Sequence, residues 1–516
     1  MSRFNTVAQN PRRTTNEEGA VAYIGLDPEQ QLYSITACNL VTNSFYKSSD
    51  QHQAAILDLV PKCDPEFVGK LAIFLRKEMY LRTVPLVLLV ALALHNKLKS
   101  WMVSGTISRV DEIKELLAAW QSFSGRTNYK KLNKLPNSLK RGIAEAFNKF
   151  DGYHFRKYNK GGKEAITFKD ALYLTHPKPK TGEKSEVFKR IIDGNLDPII
   201  TWEVDLSAAG SDLDKKREVW ESLLENKQLP YMAALRNVRN MLQVNISEAA
   251  VLKLLALLGN EEYILKSKQF PFRWYSAFHE LSKCPEHNIK MNLNRFQEVF
   301  EKALVASVDN IPGIDYLKGE ASLIACDVSG SMGGPLSDRS SISHMDVGIL
   351  LGRMLAKKCG RVITGVFGDN WAPVSFGNTI IGSQNIPGVG WSTMGYKVLD
   401  WLSNNKIVVD NVMFFSDAQI YSDLNIPGYS GYWSGSGSKS ANRSQFEKSW
   451  NNYKKTSPKA RIYMFDLASY NTYPIDLMRE DVFMVTGWSP NIFTVLRGLE
   501  TWKLQKRNIM GIPAGD

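Results

Sequence analysis

Residues 323–334, LIACDVSGSMGG, decide the fold class of the C-terminal part of this chain. Four residues with strand character lead directly into Asp327, and a loop rich in Gly and Ser follows. A buried strand that ends on a carboxylate in this way places short oxygen ligands at the C-terminal edge of a parallel sheet. Asp327, Ser329 and Ser331 are an all-oxygen donor set of low charge. Such a set suits Mg²⁺ held partly through water better than it suits zinc or copper.

The sequence around this stretch alternates between strand-like and helix-like runs. The strand-like runs are 321–326, 361–367, 412–415, 461–466 and 482–486. The helix-like runs between and after them are 346–358, 395–403, 442–455 and 491–502. Such alternation is typical of a parallel sheet with helices on both faces. We therefore predict a Rossmann-like α/β domain over residues 319–516.

The chain before residue 319 has helical periodicity almost throughout, after a polar arm at residues 1–19. Apolar residues recur three and four positions apart, as in Leu71, Phe74 and Leu75, and Pro, Gly or capping residues separate the segments. Predicted helices include 51–59, 65–80, 84–98, 110–121, 138–149, 215–226, 231–242, 247–257 and 293–307. Short paired helices over this length predict an irregular α-solenoid, although no strict repeat period is present.

The composition argues against several classes of protein. The five Cys residues are scattered and odd in number, without CxxC spacing, so a disulfide framework and a zinc site are both disfavoured. This pattern favours a reducing, cytoplasmic location. The opening MSRFNTVAQNPRRTT is too polar for a signal peptide. The longest apolar run, residues 84–94, is too short to cross a bilayer, so no membrane association is expected.

Positive charge is concentrated in one segment. The whole chain carries a formal net charge of +12. Residues 101–190 alone contain nineteen Lys and Arg against nine Asp and Glu, a net of +10. Such asymmetry points to a polyanionic partner, most simply nucleic acid. A Lys-rich solvated helical surface would have the same composition, so charge alone leaves both interpretations open.

The pattern Asp-X-Ser-X-Ser resembles the metal-ion-dependent adhesion site (MIDAS) of von Willebrand factor A domains. That family takes two further ligands, a Thr and an Asp, from later loops. Thr393 fits the first position, with Ser392 as a rival, and Asp417 follows the strand at 412–415. The resemblance implies one divalent cation, Mg²⁺, held by Asp327, Ser329, Ser331, Thr393 and Asp417.

Two alternatives to a metal site remain. The first is an ordinary Gly/Ser turn after a buried strand. The second is a phosphoryl-accepting Asp at a strand end, as in hydrolases of the haloacid-dehalogenase type. Those enzymes place a second carboxylate two residues later as acid and base. Ser329 cannot do that work.

Helical repeats followed by an A domain resemble the Ro autoantigen family, including its bacterial members. Four stretches match that family: DALYLTHPKP (170–179), LPYMAALRNVRNML (229–242), FPFRWYSA (270–277) and CDVSGSM (326–332). The resemblance implies a HEAT-like helical-repeat TROVE module over residues 1–318 and a von Willebrand factor A domain over 319–516. It implies a monomeric ring of helices closed by the A domain.

The resemblance also implies a function. Ro proteins bind small non-coding Y RNAs on a basic outer surface and take single-stranded 3′ ends of misfolded RNA into a central hole. They act in RNA quality control without being enzymes. Bacterial members are tied to exoribonucleases such as polynucleotide phosphorylase, which becomes an expected partner here.

Five residues are predicted to contact RNA. His176, in LTHPKP, occupies the family's position for Y RNA contact. Lys157 and Lys160 match a basic Lys-Tyr run more loosely, and Lys178 and Lys180 extend the cluster. Lys neutralises phosphates, and an interleaved Tyr or His stacks on an unpaired base. The alternatives are a helix-capping role for His176 and a solvated face for the lysines.

Two other functions compete with RNA binding. In a protein-assembly scaffold, the metal site would capture an acidic residue of a partner and the helices would be spacers. The basic segment argues against it, since such a scaffold has no need of one. An RNA hydrolase lacks a candidate site, because no cluster of acids suited to two catalytic metals occurs in the helical part. The Gly/Ser-rich segment 426–440 follows Asp417 and is either a contact loop or a tether.

Overall fold

The computed structural model describes residues 13–15, 21–24, 27–38, 49–125, 134–159, 166–196, 202–267, 269, 272–309, 315–334, 342–377, 379–381, 386–420, 445–467, 472–476, 479–486 and 492–514. The chain divides into two compact units. The first comprises Met1–Gly25, Ile200–Pro335 and Ser341–Val485, and the second comprises Leu26–Ile199, Leu336–Ser340 and Thr486–Asp516. These units do not follow the limits 1–318 and 319–516, which remain a prediction from sequence.

Helices make up most of the chain before the sheet. They are α1 (Pro28–Cys38), α2 (Ser49–Leu59), α3 (Pro65–Lys77), α4 (Thr83–Leu94), α5 (Ser100–Thr106), α6 (Asp111–Phe123), α7 (Asn137–Phe147), α8 (Gly152–Tyr158), α9 (Phe168–Thr175), α10 (Gly182–Asp193), α11 (Trp202–Ala208), α12 (Leu213–Glu225), α13 (Tyr231–Gln243), α14 (Glu248–Leu258), α15 (Glu261–Ser267), α16 (Phe272–Ser282) and α17 (His287–Asp309). The predicted succession of short helices is confirmed.

Local sequence explains where these helices begin and end. Asp64 accepts the backbone N–H groups of Glu66 and Phe67 at the start of α3, and Pro65 occupies its first turn. Arg76 and Lys77 lie in its last turn, where positive charge is favourable. The next helix, α4, is apolar on all sides, and its residues 84–93 are buried.

The rest of the chain alternates between strands and helices. The strands of this part are β3 (Ala321–Asp327), β4 (Arg361–Phe367), β5 (Trp371–Pro373), β6 (Asn411–Ser416), β7 (Arg461–Asp466), β8 (Thr472–Tyr473) and β9 (Val482–Thr486). The helices are α18 (His344–Lys358), α19 (Tyr396–Asn404), α20 (Gln445–Thr456), α21 (Ile492–Glu500) and α22 (Trp502–Met510). The main sheet has the order β5-β4-β3-β6-β7-β9.

The centre of this sheet is parallel and buried. Strand β3 pairs in parallel with β4 on one side and β6 on the other, and all seven of its residues are buried. A strand buried on both faces reads as a continuous apolar run, which explains LIAC. Because parallel strands end at one edge, Asp327 and the residues after β6 meet there. The predicted α/β class is confirmed.

Three features differ from the sequence prediction. Strand β5 is an antiparallel edge strand on β4 that the helix–strand alternation did not predict. The arm at 1–19 contains β1 (Arg13–Thr15), which pairs with β2 (Val21–Ile24), and β2 pairs with β8. The last predicted helix, 491–502, is two helices, because non-helical backbone at Thr501 separates α21 from α22.

The C-terminal helices belong to the second unit. There α21 packs on α1 and α22 packs on α3. The Trp502 ring centroid lies 5.5 Å from that of Tyr33. The Lys70 ammonium on α3 donates a hydrogen bond of 2.7 Å to the carbonyl of Met510. These contacts join helices from opposite ends of the sequence into one core.

Candidate nucleic-acid interface and metal-binding edge

The structure brings together two of the basic stretches that the sequence singled out. Asn148 follows α7, and its amide holds the segment between α9 and α10. Its Nδ2 donates to the carbonyl of Lys178 at 3.0 Å, and its Oδ1 accepts the N–H of Lys180 at 2.9 Å. The Lys184 ammonium donates to the carbonyl of Phe150. The segment that contains Lys178 and Lys180 therefore lies against the turn that leads into α8.

The predicted RNA contacts in this region are solvent-exposed. Lys157, His176, Lys178 and Lys180 all belong to the exposed class. Lys160 lies outside the described residues. Exposed lysines on neighbouring segments form a surface that can follow a phosphate backbone. We call Lys157, His176, Lys178 and Lys180, together with Tyr153, Tyr158 and Tyr173, the α8–α10 basic surface.

Aromatic side chains that the sequence analysis left out belong to the same surface. Tyr153 on α8 is 51% exposed, and Tyr173 on α9 is 54% exposed. The Lys157 ammonium lies 5.9 Å from the Tyr153 ring centroid and 5.8 Å from that of Tyr158. Large exposed rings among lysines are suited to stack on unpaired bases. The signal was present in the sequence, since Tyr153 and Tyr158 flank the basic residues of YHFRKY and Tyr173 precedes His176 by three.

His176 combines both roles considered for it. It is the C-cap of α9 in a left-handed conformation, with φ 48°, and its N–H donates to the carbonyl of Leu172. A non-Gly residue in this region is uncommon, and His is among the types enriched there. The cap uses only the backbone. The imidazole remains exposed and available for a base.

Positive charge continues onto the start of α6. Arg109 forms a two-pronged ion pair with Asp111, with bonds of 2.9 and 2.8 Å. Its guanidinium also lies 4.8 Å from the Tyr158 ring centroid. Burial, together with the neighbouring charge of Arg109, lowers the pKa of Arg82. The α8–α10 basic surface therefore borders two further arginines.

The second site lies at the C-terminal edge of the main sheet. Asp327, Ser329, Thr393 and Asp417 are buried there, and Ser331 is exposed. The Oδ1 of Asp327 accepts the N–H of Ser329 at 2.9 Å, and the two Ser hydroxyl oxygens, of Ser329 and Ser331, lie 3.3 Å apart. The five predicted ligands thus come from three loops: the loop after β3, the loop after β6 and the loop that precedes α19.

Hydrogen bonds fix the two carboxylates at this edge. The hydroxyl of Ser416 donates to Oδ2 of Asp327 at 2.6 Å. Oδ1 of Asp417 accepts the N–H of Gln419 at 3.1 Å, in a turn where Ala418 has φ 62°. Burial and the negative charge of Asp417 raise the pKa of Asp327. Two buried carboxylates that repel each other form an environment that a bound cation relieves.

The structure distinguishes between the two rivals for the fourth ligand. The N–H of Ser392 donates to Oδ1 of Asp369 at 2.7 Å, and its side chain also hydrogen-bonds that carboxylate, which lowers the pKa of Asp369. The hydroxyl of Ser392 is therefore engaged. Thr393 is buried and lies next to Met394, whose N–H donates to the carbonyl of Gly368 at the end of β4. Thr393 is the better candidate.

The donor set fits a hard divalent cation. It would consist of two carboxylates and three hydroxyl groups, which suits Mg²⁺ and disfavours zinc. Within the described ranges, no group of three or more His, Cys, Asp and Glu side chains is placed to hold a metal. If a divalent cation binds there, Asp327, Ser329, Ser331, Thr393 and Asp417 are the residues that would hold it.

Comparisons with known proteins agree with the fold. The family model of the TROVE domain matches residues 195–310. Telomerase protein component 1 of Mus musculus is 25% identical over 340 residues, which is 50% of this chain and 13% of the relative. The Rattus norvegicus protein of the same name is 40% identical over 83 residues, 16% of this chain and 3% of the relative. The chain therefore spans a small fraction of these relatives' length.

A solved structure extends the similarity to nearly the whole chain. The crystal structure of the Deinococcus radiodurans Ro (Rsr) protein matches with a TM-score of 0.54 and 15% sequence identity. The match covers 92% of this chain and 100% of that one. Residues 195–310 of this chain match the TROVE domain, and the chain as a whole has the fold of a Ro protein. The resemblance stated from the sequence is thereby confirmed.

Two further predictions from the sequence concern the Gly/Ser-rich segment and membrane association. Residues 426–440, the Gly/Ser-rich segment, lie outside the described residues. None of the described helices is long and apolar enough to cross a membrane. The TROVE match covers α11 to α17 and ends before the main sheet, so the candidate metal ligands lie outside it.

Proposed function

We propose that this protein binds RNA on the α8–α10 basic surface, and that the ligand is a small structured non-coding RNA of the Y type. The observation that carries this proposal is that Asn148, in the turn between α7 and α8, holds the Lys178–Lys180 segment by two hydrogen bonds. That contact turns lysines separated in sequence into one exposed surface. The fold of a Ro protein supports it.

The surface offers two kinds of recognition. Lys157, Lys178 and Lys180 would neutralise phosphates, which gives affinity without sequence preference. Tyr153, Tyr173 and the imidazole of His176 would stack on bases in loops or bulges, where RNA is read most readily. Together they favour an RNA with a duplex and unpaired bases over a plain duplex.

Several further properties belong to the same proposal. The protein would also take single-stranded 3′ ends of misfolded RNA and hand RNA to an exoribonuclease such as polynucleotide phosphorylase. It would act in the cytoplasm, as a monomer, in RNA quality control. It would not itself cleave RNA.

The first test separates stacking from a general loss of charge. His176→Ala and Tyr173→Ala each remove one ring from the α8–α10 basic surface without changing a lysine. We expect each to weaken binding of RNA recovered by crosslinking in the native host by on the order of 1–3 kcal/mol. Fluorescence anisotropy at fixed salt measures the change.

The matched control is Tyr263→Ala. Tyr263 is also solvent-exposed, at 45%, but lies on α15 of the other unit. It should leave RNA affinity unchanged. Equal losses for all three variants, or no loss for any, would contradict an RNA site at the α8–α10 basic surface.

A second candidate function rests on the metal-binding edge. The ordered oxygen donors of Asp327, Thr393 and Asp417 would let a bound Mg²⁺ accept a carboxylate from a protein partner. Trp391, which is 84% exposed and stands beside Gly330, would contact that partner. A short acidic peptide should bind in Mg²⁺ and not in EDTA, and Trp391→Ala should weaken it. No Mg²⁺-dependent binding would remove this candidate.

A further inference from the structure

A pocket with an apolar floor lies where four helices of the first unit meet. It has a volume of about 590 Å³, which is within the range of small-molecule sites. Helix α12 packs on α14, and α13 packs on both α14 and α15. The lining comes from the end of α12, the start of α13 and the facing parts of α14 and α15. The α8–α10 basic surface belongs to the second unit and contributes nothing to this lining.

Leucine side chains form the floor of the pocket. Leu223 and Leu224, near the end of α12, and Leu229, just before α13, are buried. Leu257 on α14 is half-buried and extends the floor. Walls of this kind bind a hydrocarbon or aromatic body, because they remove its surface from water.

A hydrogen-bond chain fixes one wall of the pocket. The Trp274 indole, which is fully buried, donates to the hydroxyl of Tyr231 at 2.9 Å. That hydroxyl donates to the carbonyl of Leu258 at 3.0 Å. Burial raises the pKa of Tyr231 to about 12, so the phenol stays neutral. The Tyr231 hydroxyl is thus engaged within the protein, and the rim of the pocket supplies the polar groups for a ligand.

The rim carries three charged side chains and an amide. Lys253 on α14 forms an ion pair with Glu225 on α12. The ammonium of Lys227 makes no ion pair or hydrogen bond with any residue that the structure describes. Asn260 accepts the N–H of Tyr263 through its Oδ1 at 3.0 Å, so its amide NH₂ group remains a donor. Two lysines against one glutamate leave one positive charge at the opening.

We propose that this pocket binds a small amphipathic molecule with a single carboxylate. Lys227 would pair with the carboxylate, and the leucines of the floor would receive the apolar body. Charge complementarity selects a monoanion, since one unpaired ammonium neutralises one carboxylate while Glu225 repels a polyanion. Tyr263, which is 45% exposed at the rim, would cover the apolar body. Neither RNA nor a metal ion takes part, so this site goes beyond the function proposed above.

The backbone at Lys227 offers a substitution that removes the ammonium without strain. Lys227 follows α12 in a left-handed conformation, with φ 53°. Its N–H donates to the carbonyl of Leu224 in a helix-ending motif in which Gly is the usual residue. Lys227→Gly is therefore compatible with the fold. Lys406, after α19, has φ 52° and the same motif, so Lys406→Gly is a matched control.

The test is isothermal titration calorimetry with decanoate, with decanol and uridine monophosphate as separate arms. Lys227→Gly should weaken decanoate binding by roughly three- to tenfold, between the effects of an exposed ion pair and of a charge-assisted hydrogen bond. It should leave decanol binding unchanged. Lys406→Gly should change neither. Ala256→Trp, at an exposed position of α14 that lines the pocket, should weaken decanoate and decanol alike, because the indole fills the space.

Four outcomes would overturn the inference. The first is that decanoate does not bind the wild type. The second is an equal effect of Lys227→Gly and Lys406→Gly, which would reflect net charge and not the pocket. The third is decanoate binding that Ala256→Trp leaves intact. The fourth is that uridine monophosphate binds in preference to decanoate and is weakened by Lys227→Gly, because the pocket is then a nucleotide site. RNA binding on the α8–α10 basic surface stands or falls separately.

Discussion

At the scale of single residues, the chemistry at the sheet edge follows from burial. Asp327 is 1% exposed and Asp417 is 2% exposed, so neither carboxylate is screened by bulk water. A buried carboxylate beside another has its pKa raised, as is found for Asp327. A Mg²⁺ ion would have to displace a proton from such a group. Metal affinity is therefore linked to pH.

The residue-scale prediction is that Asp327→Asn abolishes Mg²⁺ binding. The substitution keeps the size of the side chain and removes half of the carboxylate charge of the site. Addition of Mg²⁺ should raise the melting temperature of the wild type and not that of the variant, because only a bound ion stabilises the folded state. In the wild type, the effect should shrink as pH falls through the raised pKa of Asp327, where protonation competes with the metal.

The control is Asp400→Asn on α19, a half-buried carboxylate away from the edge. It should respond to Mg²⁺ like the wild type. A melting temperature that rises with Mg²⁺ in all three proteins would place the ion elsewhere. No rise in any of them would exclude the site.

At the scale of elements, two contacts show how neighbouring helices and strands select particular residues: a Gly where α18 packs on β3, and a buried ion pair between α3 and α6. Helix α18 lies against β3 at Gly352, where a Cβ would stand 2.7 Å from the Sγ of Cys326. Helices α3 and α6 are joined by a buried ion pair, with 2.7 Å between Nε of Arg76 and Oε1 of Glu112. Neither contact follows from periodicity, because both depend on which helix faces which.

We predict that Gly352→Ala destabilises the fold by about 1–3 kcal/mol. The added methyl would also stand 3.1 Å from Phe376 and 3.2 Å from Ile324, so the helix must move from the sheet. Denaturant unfolding gives the free energy. In Gly319→Ala the nearest atom is the carbonyl of Tyr316 at 3.6 Å, so this control should change little. Equal stability of the two variants would show that α18 packs differently.

We predict that Arg76→Met costs about 3–5 kcal/mol of unfolding free energy, because it leaves the Glu112 carboxylate buried without its partner. That carboxylate also accepts the N–H groups of Ser108 and Arg109. The comparison is Lys62→Met, which breaks an exposed ion pair with Asp58 and should cost at most about 1 kcal/mol. Similar losses in both variants would contradict the burial of the Arg76–Glu112 pair.

At the scale of the whole molecule, the sequence predicted the features that depend on local pattern. It did not predict the features that depend on contacts between distant residues. The strands at 361–367 and 461–466 and the helix starts at Pro65 and Tyr231 follow directly from alternation, capping and Pro. The set of candidate oxygen ligands at the C-terminal edge of the main sheet also follows from the sequence, because parallel strands end at the same edge. The surface made by Asn148 does not, because it joins residues thirty positions apart through side-chain amide bonds.

The division of the chain was also hidden from the sequence. Helices α21 and α22 read as the end of the α/β domain, yet they pack on α1 and α3 in the second unit. Amphipathic periodicity shows that a helix has an apolar face but not which core buries it.

The central claim is that one exposed basic surface binds RNA, and its salt dependence tests that claim most directly. Charge reversal of Lys157, Lys178 and Lys180 should flatten the slope of log affinity against log salt by roughly 2–3 units, at about 0.7 to 0.9 per phosphate contact. Reversal of Lys62, Lys215 and Lys266, which are exposed on other helices, changes net charge equally and should leave most of the slope. If both triple variants shift the slope equally, or neither shifts it, the α8–α10 basic surface is a solvated face and not an RNA site.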